Sequence, residues 1–231
     1  MRNFQIHTQT IEKIAKALGE LNKNVAFVGG SVVGIYANDL AADDVRPTKD
    51  IDITLQIASL SKLEILREAL TDKGFKQQID EDVICRFVYD GTLVDVMATQ
   101  AIGWAPANQW FAPGFKHLIS VEIGDMTIKL LSLPYFLATK FDAHADRGRS
   151  DPRTSKDFED ITYLLDYVSD LEEQIAVAPE DVKTYLIGQF KAILADDAKQ
   201  EAILAQLPYL IQMERFAIIM DKLRSIQAAA L

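Results

Sequence analysis

Apolar residues near the start of the chain recur at helical spacing. Ile11, Ile14, Ala15 and Leu18 share one face, which predicts an amphipathic helix over 10–21. The period then disappears. "NVAFVGG" reads as a buried strand ending in a glycine turn, and "SVVGIYANDLA" as a helix opened by Ser31. After the polar loop "AADDVRPT", apolar and polar positions alternate in "KDIDITLQI", the signature of a strand with two unlike faces. "SLSKLEILREALTDKG" returns to helical spacing, with a serine cap at its start and Gly74 at its end. "FKQQI", "VICRFVY" and "TLVDVMA" read as three strands, the last two joined by the hairpin turn Asp90-Gly91. "AIGWAPANQWFAPGF" has no period and reads as an aromatic loop. "HLISVEIGDMTIKLLS" is a second hairpin turning at Gly124-Asp125.

After Leu133 the pattern becomes helical throughout. "PYFLATKFDAHADRG" and "KDFEDITYLLDYV" are helices separated by the loop "RSDPRTS", and the chain from Ala178 reads as three or four more. The expected class is α+β: a mixed sheet with flanking helices over 1–131, then a helical bundle over 132–231. The 231 residues suffice to bury roughly 70–75% of the unfolded surface without staples. Cys85, the single cysteine, has no partner for an internal disulfide and lies in an apolar strand-like run, as a small buried hydrophobe. No apolar run is long enough to span a membrane, and the N-terminal region lacks the apolar core of a signal peptide, so a cytoplasmic location is expected. The net charge of −10 disfavours non-specific nucleic-acid binding over the whole surface.

Against that balance, three carboxylates stand out. Asp50 and Asp52 are two apart on one strand, so both point to one face while Ile51 and Ile53 point to the other. Side-by-side carboxylates repel unless a cation lies between them, and Mg²⁺ takes one or two carboxylates together with substrate phosphates. Asp95, between Val94 and Val96, is a third strand carboxylate that burial makes costly unless it is paired or metal-bound. An open site with three carboxylates can hold two metals. Gly29, Gly30 and Ser31 lie between strand and helix, where backbone N–H groups and a hydroxyl can meet an anion; a tight turn is the plainer reading. Arg46 and Lys49 flank the acidic strand as phosphate contacts or as solvated loop residues. Lys140, His144 and Arg147 share one helix face. Five Lys or Arg residues between 140 and 156 face Asp142, Asp146 and Asp151, a local positive island in an acidic protein. Trp104, Trp110, Phe111 and Phe115 read as loop packing rather than a base-stacking wall.

"VGGSVVGIYA", "RPTKDIDITL" and "LVDVMA" together resemble the polymerase-beta-like nucleotidyltransferase superfamily. The second half resembles its AbiEii-type toxin branch. The matching positions are a helical lysine, Lys140, then Arg147, and then Lys156 and Asp157 opening a helix with Asp160 following. The resemblance covers roughly 24–167. It implies that Gly29, Gly30 and Ser31, with Lys49, Arg147 and Asp157, bind the nucleotide. It implies that Asp50, Asp52 and Asp95 bind Mg²⁺ in a two-metal site, with Asp95 also the base and Lys140 a catalytic cation. The helical half is then expected to cover the active site. The implied activity is Mg²⁺-dependent transfer of a nucleoside monophosphate from an NTP to a hydroxyl, with RNA, a tRNA end or protein as acceptor, and a cognate antitoxin as partner. Two other readings stay open: a non-catalytic nucleotide sensor or interaction module on the same fold, and an antibiotic-type modifier of small molecules.

Overall fold

The computed structural model describes residues 2–57, 59–78, 85–147 and 151–229. The elements run α1 (Asn3–Leu18), β1 (Val25–Val28), α2 (Val33–Tyr36), β2 (Asp50–Leu55), α3 (Leu60–Asp72), β3 (Lys76–Gln77), β4 (Arg86–Tyr89), β5 (Thr92–Ala98), α4 (Phe111–Gly114), β6 (Leu118–Ile123) and β7 (Met126–Leu131). The helices α5 (Leu133–Arg147), α6 (Lys156–Tyr167), α7 (Leu171–Ala176), α8 (Glu180–Leu194), α9 (Asp197–Gln206) and α10 (Gln212–Ala229) follow. The class is therefore α+β, a mixed sheet with flanking helices followed by a helical region. The chain forms two compact units. One comprises residues 1–34 and 44–132, and the other residues 35–43 and 133–231.

In the first unit seven strands form one sheet in the order β3-β4-β5-β2-β1-β7-β6. β2 lies antiparallel to β1 and parallel to β5, and β5 is antiparallel to β4. Ile51, Ile53, Val94 and Val96 are fully or almost fully buried on one face, which leaves the alternate positions of β2 and β5 for chemistry. Both anticipated hairpins form. Asp90 and Gly91 have φ of 44° and 75°, the pair of positive values that a tight two-residue turn demands. Ser59 caps α3 by accepting from the Lys62 N–H at 3.3 Å.

Four elements differ from the sequence pattern or lie outside it. α1 begins at Asn3, ahead of the regular spacing over 10–21 but within the stretch 1–21 that reads as amphipathic; the Asp44 carboxylate, forty residues on, accepts from the Asn3 and Phe4 N–H groups at 2.6 and 3.0 Å. The anticipated helix after the glycines shrinks to a 3-10 turn (Gly30–Val32) and the single turn of α2. The chain then turns, and Asn38 and Asp39 donate to the Tyr167 carbonyl. The aromatic loop contains the one-turn helix α4, and α7 occupies residues to which the sequence pattern assigned no element. The expected strand positions Ile79, Val83 and Ile84, and part of the loop before α6, lie outside the described residues.

The second unit packs α5, α6, α8 and α10 around Phe136, Phe158, Leu164, Leu186, Phe190 and Leu223, all nearly solvent-free. Arg215 on α10 fastens it. Its Nε donates to Asp166 at 2.7 Å and its Nη2 to Asp39 at 3.0 Å, and the guanidinium lies 4.7 Å from the centre of the Tyr167 ring. Lys222 caps the end of α6, donating to the carbonyls of Leu165, Asp166 and Val168.

Arg215→Met removes the partner of a carboxylate whose side chain is only 1% exposed. The loss expected at pH 8 is about 3–5 kcal/mol. Burial is the largest influence on Asp166 and raises its pKa, against the opposing pull of Arg215. A raised acid destabilises the fold in its charged form, so the deficit shrinks as pH falls. Urea unfolding at pH 8 and pH 5 checks this; an equal or larger deficit at pH 5 contradicts it.

Candidate active site

The register of the sheet sets three charged residues in one row. Asp52 on β2 pairs with Asp95 on β5, and Asp95 pairs with Arg86 on β4. Directly paired residues project to the same face, so Asp52, Asp95 and Arg86 stand side by side, with Asp50 two residues along. Arg86 ties the row together. Its Nε donates to Asp95 Oδ1 and its Nη2 to Asp95 Oδ2, each at 2.7 Å. Nη2 also reaches Asp50 Oδ2 at 3.1 Å. The bidentate hydrogen bond that Arg86 donates to Asp95 raises the Arg86 pKa further, so the guanidinium keeps its charge. Arg86 was not singled out in the sequence. Its signal was its position in the strand next to Asp95, which only the hairpin register makes visible.

Gly29 ends β1 beside this row. Its φ of 75° with ψ of −163° is a conformation essentially reserved for glycine. A Cβ at Gly29 would fall on the Asp52 carboxylate, and one at Gly30 would fall on the Arg46 guanidinium. The glycine turn is therefore packed between an acid and a base. Ser31 is 1% exposed, and its hydroxyl has no hydrogen-bond partner among the described residues. A buried hydroxyl of this kind is costly until it meets a hydrogen-bond partner, which a ligand can supply. Lys49 is exposed. The loop carrying Arg46 and Thr48 is anchored from α1: the Thr48 N–H donates to His7 Nε2 at 3.2 Å, and Asn3 Nδ2 donates to the Val45 carbonyl at 2.8 Å.

The donor set is one of hard oxygens, and Asp50 and Asp52 with phosphate oxygens fit the way Mg²⁺ is usually held. The glycine turn and the orphaned Ser31 hydroxyl fit the phosphates. Asp95, as arranged, gives both oxygens to Arg86. Among the described residues no three carboxylate, histidine or cysteine groups stand close enough to enclose a metal ion.

In the second unit Lys140 is buried, and its Nζ donates to Asp160 Oδ2 at 2.7 Å and lies 3.6 Å from Asp157 Oδ1. Both acids are buried at the start of α6, which Ser155 caps by accepting from the Phe158 N–H. Arg147, with its side chain 75% exposed, approaches Asp157 from solvent at 3.7 Å. His144 meets the Ser155 hydroxyl at 2.8 Å. Lys156 is exposed. Lys140, Arg147, Asp157 and Asp160 thus form one cluster, and Asp50, Asp52, Asp95 and Arg86 another. The aromatic loop serves packing: Trp104 lies 5.7 Å from Phe87, centre to centre, and Phe111 is buried. Cys85 is buried, and burial chiefly, with the nearby Asp95 charge, pushes its thiol up to about 11.

Gly29→Ala forces a side chain into the glycine-only region and onto Asp52. It should lower stability by about 1–3 kcal/mol by urea unfolding; a change within about 0.5 kcal/mol contradicts the packing described. His144 should titrate below its ordinary 6.5, because burial disfavours the imidazolium more than Asp157 favours it. Its contribution to stability is then full above pH 6.5 and lost as pH falls through the lowered value. An NMR titration giving a value above 6.5 contradicts this.

The structure is similar to that of an antigenic nucleotidyltransferase-like protein from Paracoccidioides brasiliensis, with a TM-score of 0.53 and 16% sequence identity, over 86% of this chain and 92% of that one. At that identity the likeness speaks for the fold. No curated protein matches the sequence significantly. The family model described as Nucleotidyl transferase AbiEii toxin, Type IV TA system, matches residues 15–227, nearly the whole chain and both compact units. This chain therefore belongs to the AbiEii nucleotidyltransferase toxin family.

Proposed function

We propose that the chain transfers a nucleoside monophosphate from an NTP to an acceptor hydroxyl, using Mg²⁺ held by Asp50 and Asp52. The observation that carries this reading is the placement of three aspartates on one face of paired strands, against a glycine turn with a buried, unpartnered hydroxyl. Family membership across both units supports assigning the Lys140 cluster to the same activity.

In this reading the Ser31 hydroxyl and the N–H groups of the glycine turn donate to phosphate oxygens, and the Arg46 guanidinium adds positive charge beside them. Lys140 and Arg147 stabilise the negative charge that gathers on the departing pyrophosphate. Asp157 and Asp160 orient Lys140. Bound Mg²⁺ would neutralise phosphate charge and favour ionisation of the attacking hydroxyl. The hydroxyl oxygen forms a bond to the α-phosphorus, the α–β bridging oxygen leaves with pyrophosphate, and Asp95 accepts the hydroxyl proton. Asp95 is also the remaining strand carboxylate that could contribute to a second ion. Because the family is that of a type IV toxin, we assign the chain the toxin role and a cognate antitoxin.

The acceptor is a hydroxyl of RNA, including a tRNA end, of protein or of a small molecule. Incubating the protein with each α-labelled NTP, Mg²⁺ and cell extract identifies it. Wild type should label one class of acceptor. Asp50→Asn and Asp52→Asn should lose Mg²⁺-dependent NTP binding. Asp95→Asn should retain most binding and lose about 10²–10⁴-fold in transfer. Tight Mg-NTP binding without transfer to any acceptor, from any of the four nucleotides, contradicts the enzyme and favours a nucleotide sensor. That second reading draws on Arg86, which satisfies both Asp95 oxygens.

A further inference from the structure

Arg86 is an unexpected group in a site read as a divalent-cation site. Its guanidinium is half-buried, and its Nη2 lies between Asp95 Oδ2 at 2.7 Å and Asp50 Oδ2 at 3.1 Å. A single cationic nitrogen thereby bridges two carboxylates that the nucleotidyltransferase reading gives to metal. Its Nε closes the second half of a fork on Asp95, leaving neither oxygen of that residue without a donor. The arrangement follows from register, because Arg86 is the direct cross-strand partner of Asp95. It also offsets a cost of this sheet face: without a cation beside them, Asp50, Asp52 and Asp95 repel one another.

We propose that Arg86 is a built-in cation that holds the acidic row together and competes with a divalent ion for it, so that Asp95 becomes available only when the guanidinium is drawn away. Arg86 is a positioning residue that acts through Asp95 and Asp50. A guanidinium forks onto phosphate as readily as onto carboxylate, so an arriving triphosphate offers Arg86 its alternative partner. Nucleotide arrival and release of Asp95 are then one event. This inference rests on Asp50 and Asp52 holding the ion.

The test measures Mn²⁺ binding to the full chain by electron paramagnetic resonance, without nucleotide, together with the rise in Tm that Mg²⁺ produces. Arg86→Met should bind Mn²⁺ about tenfold tighter or more, since a unit positive charge has left the site. Its Tm without metal should fall and its Mg²⁺-dependent rise should exceed that of wild type. Arg86→Lys, which keeps the charge but cannot fork, should stay closer to wild type in affinity. A merely structural arginine predicts the opposite, weaker binding in Arg86→Met. If Arg86→Met does not fold, Arg86→Met with Asp95→Asn removes the pair as a neutral unit. It should bind Mn²⁺ more tightly than Asp95→Asn alone, in which Arg86 still faces Asp50. Equal or weaker affinity on removal of Arg86 overturns the inference; if Asp50→Asn still abolishes the wild-type binding, the metal reading survives that result. Mn²⁺ binding that is absent from every variant, or insensitive to Asp50→Asn and Asp52→Asn, overturns both.

Discussion

Placing negative charges side by side on one face of a sheet is the constraint around which the first unit is arranged. Asp52 and Asp95 are direct partners on adjacent strands, and neighbouring strands lie only about 4.8 Å apart. Two unit charges at that separation repel by about 3.5 kcal/mol at an effective dielectric near 20. The fold tolerates this because the reverse face of the same strands buries Ile51, Ile53, Val94 and Val96, and because Arg86 lies in the same row. The glycine turn answers to the same row, since Gly29 leaves room for the Asp52 carboxylate that any side chain would fill. The approach to β2 is held by contacts from α1, through His7 and Asn3. The acidic row is therefore set on rigid strands and flanked by an anchored loop and a packed turn, the conditions a preorganised ion site needs.

The second unit repeats the logic with opposite sign. Lys140 is a buried cation with two buried acids around it. A buried charge pair of this kind contributes little net stability compared with apolar packing, which makes its presence easier to understand as chemistry than as architecture. Ser155, which caps α6, also meets His144, so the helix start that carries Asp157 is tied to α5. The family match extends across this cluster and the acidic row alike.

Much of this was legible in the sequence because it depends on short periods. The alternation of Asp50, Ile51, Asp52 and Ile53 announces a strand with one apolar and one charged face, and the Asp90-Gly91 turn fixes a hairpin. Helical spacing set Lys140 on one face with His144 and Arg147, whereas the Asp157–Asp160 pair was picked out by resemblance. What was not legible depends on partners distant in sequence. The anchoring of the start of α1 requires Asp44, and the truncation of α2 requires the Tyr167 carbonyl. The assignment of residues 35–43 to the helical unit rests on contacts such as Arg215 with Asp39. Arg86 escaped notice because its role arises from cross-strand register rather than from any local motif.

The central claim is that Asp50 and Asp52 hold a divalent ion bearing a nucleotide. The most direct measurement is a crystal structure of the full chain with Mn²⁺ and a non-hydrolysable NTP, read from the anomalous signal of manganese. The account predicts a manganese peak in contact with Asp50 and Asp52, phosphate oxygens at Gly30 and Ser31, and Arg86 turned from Asp95 toward phosphate. Nucleotide bound with its manganese away from both aspartates, or an acidic row still closed by Arg86 with the triphosphate elsewhere, would contradict it.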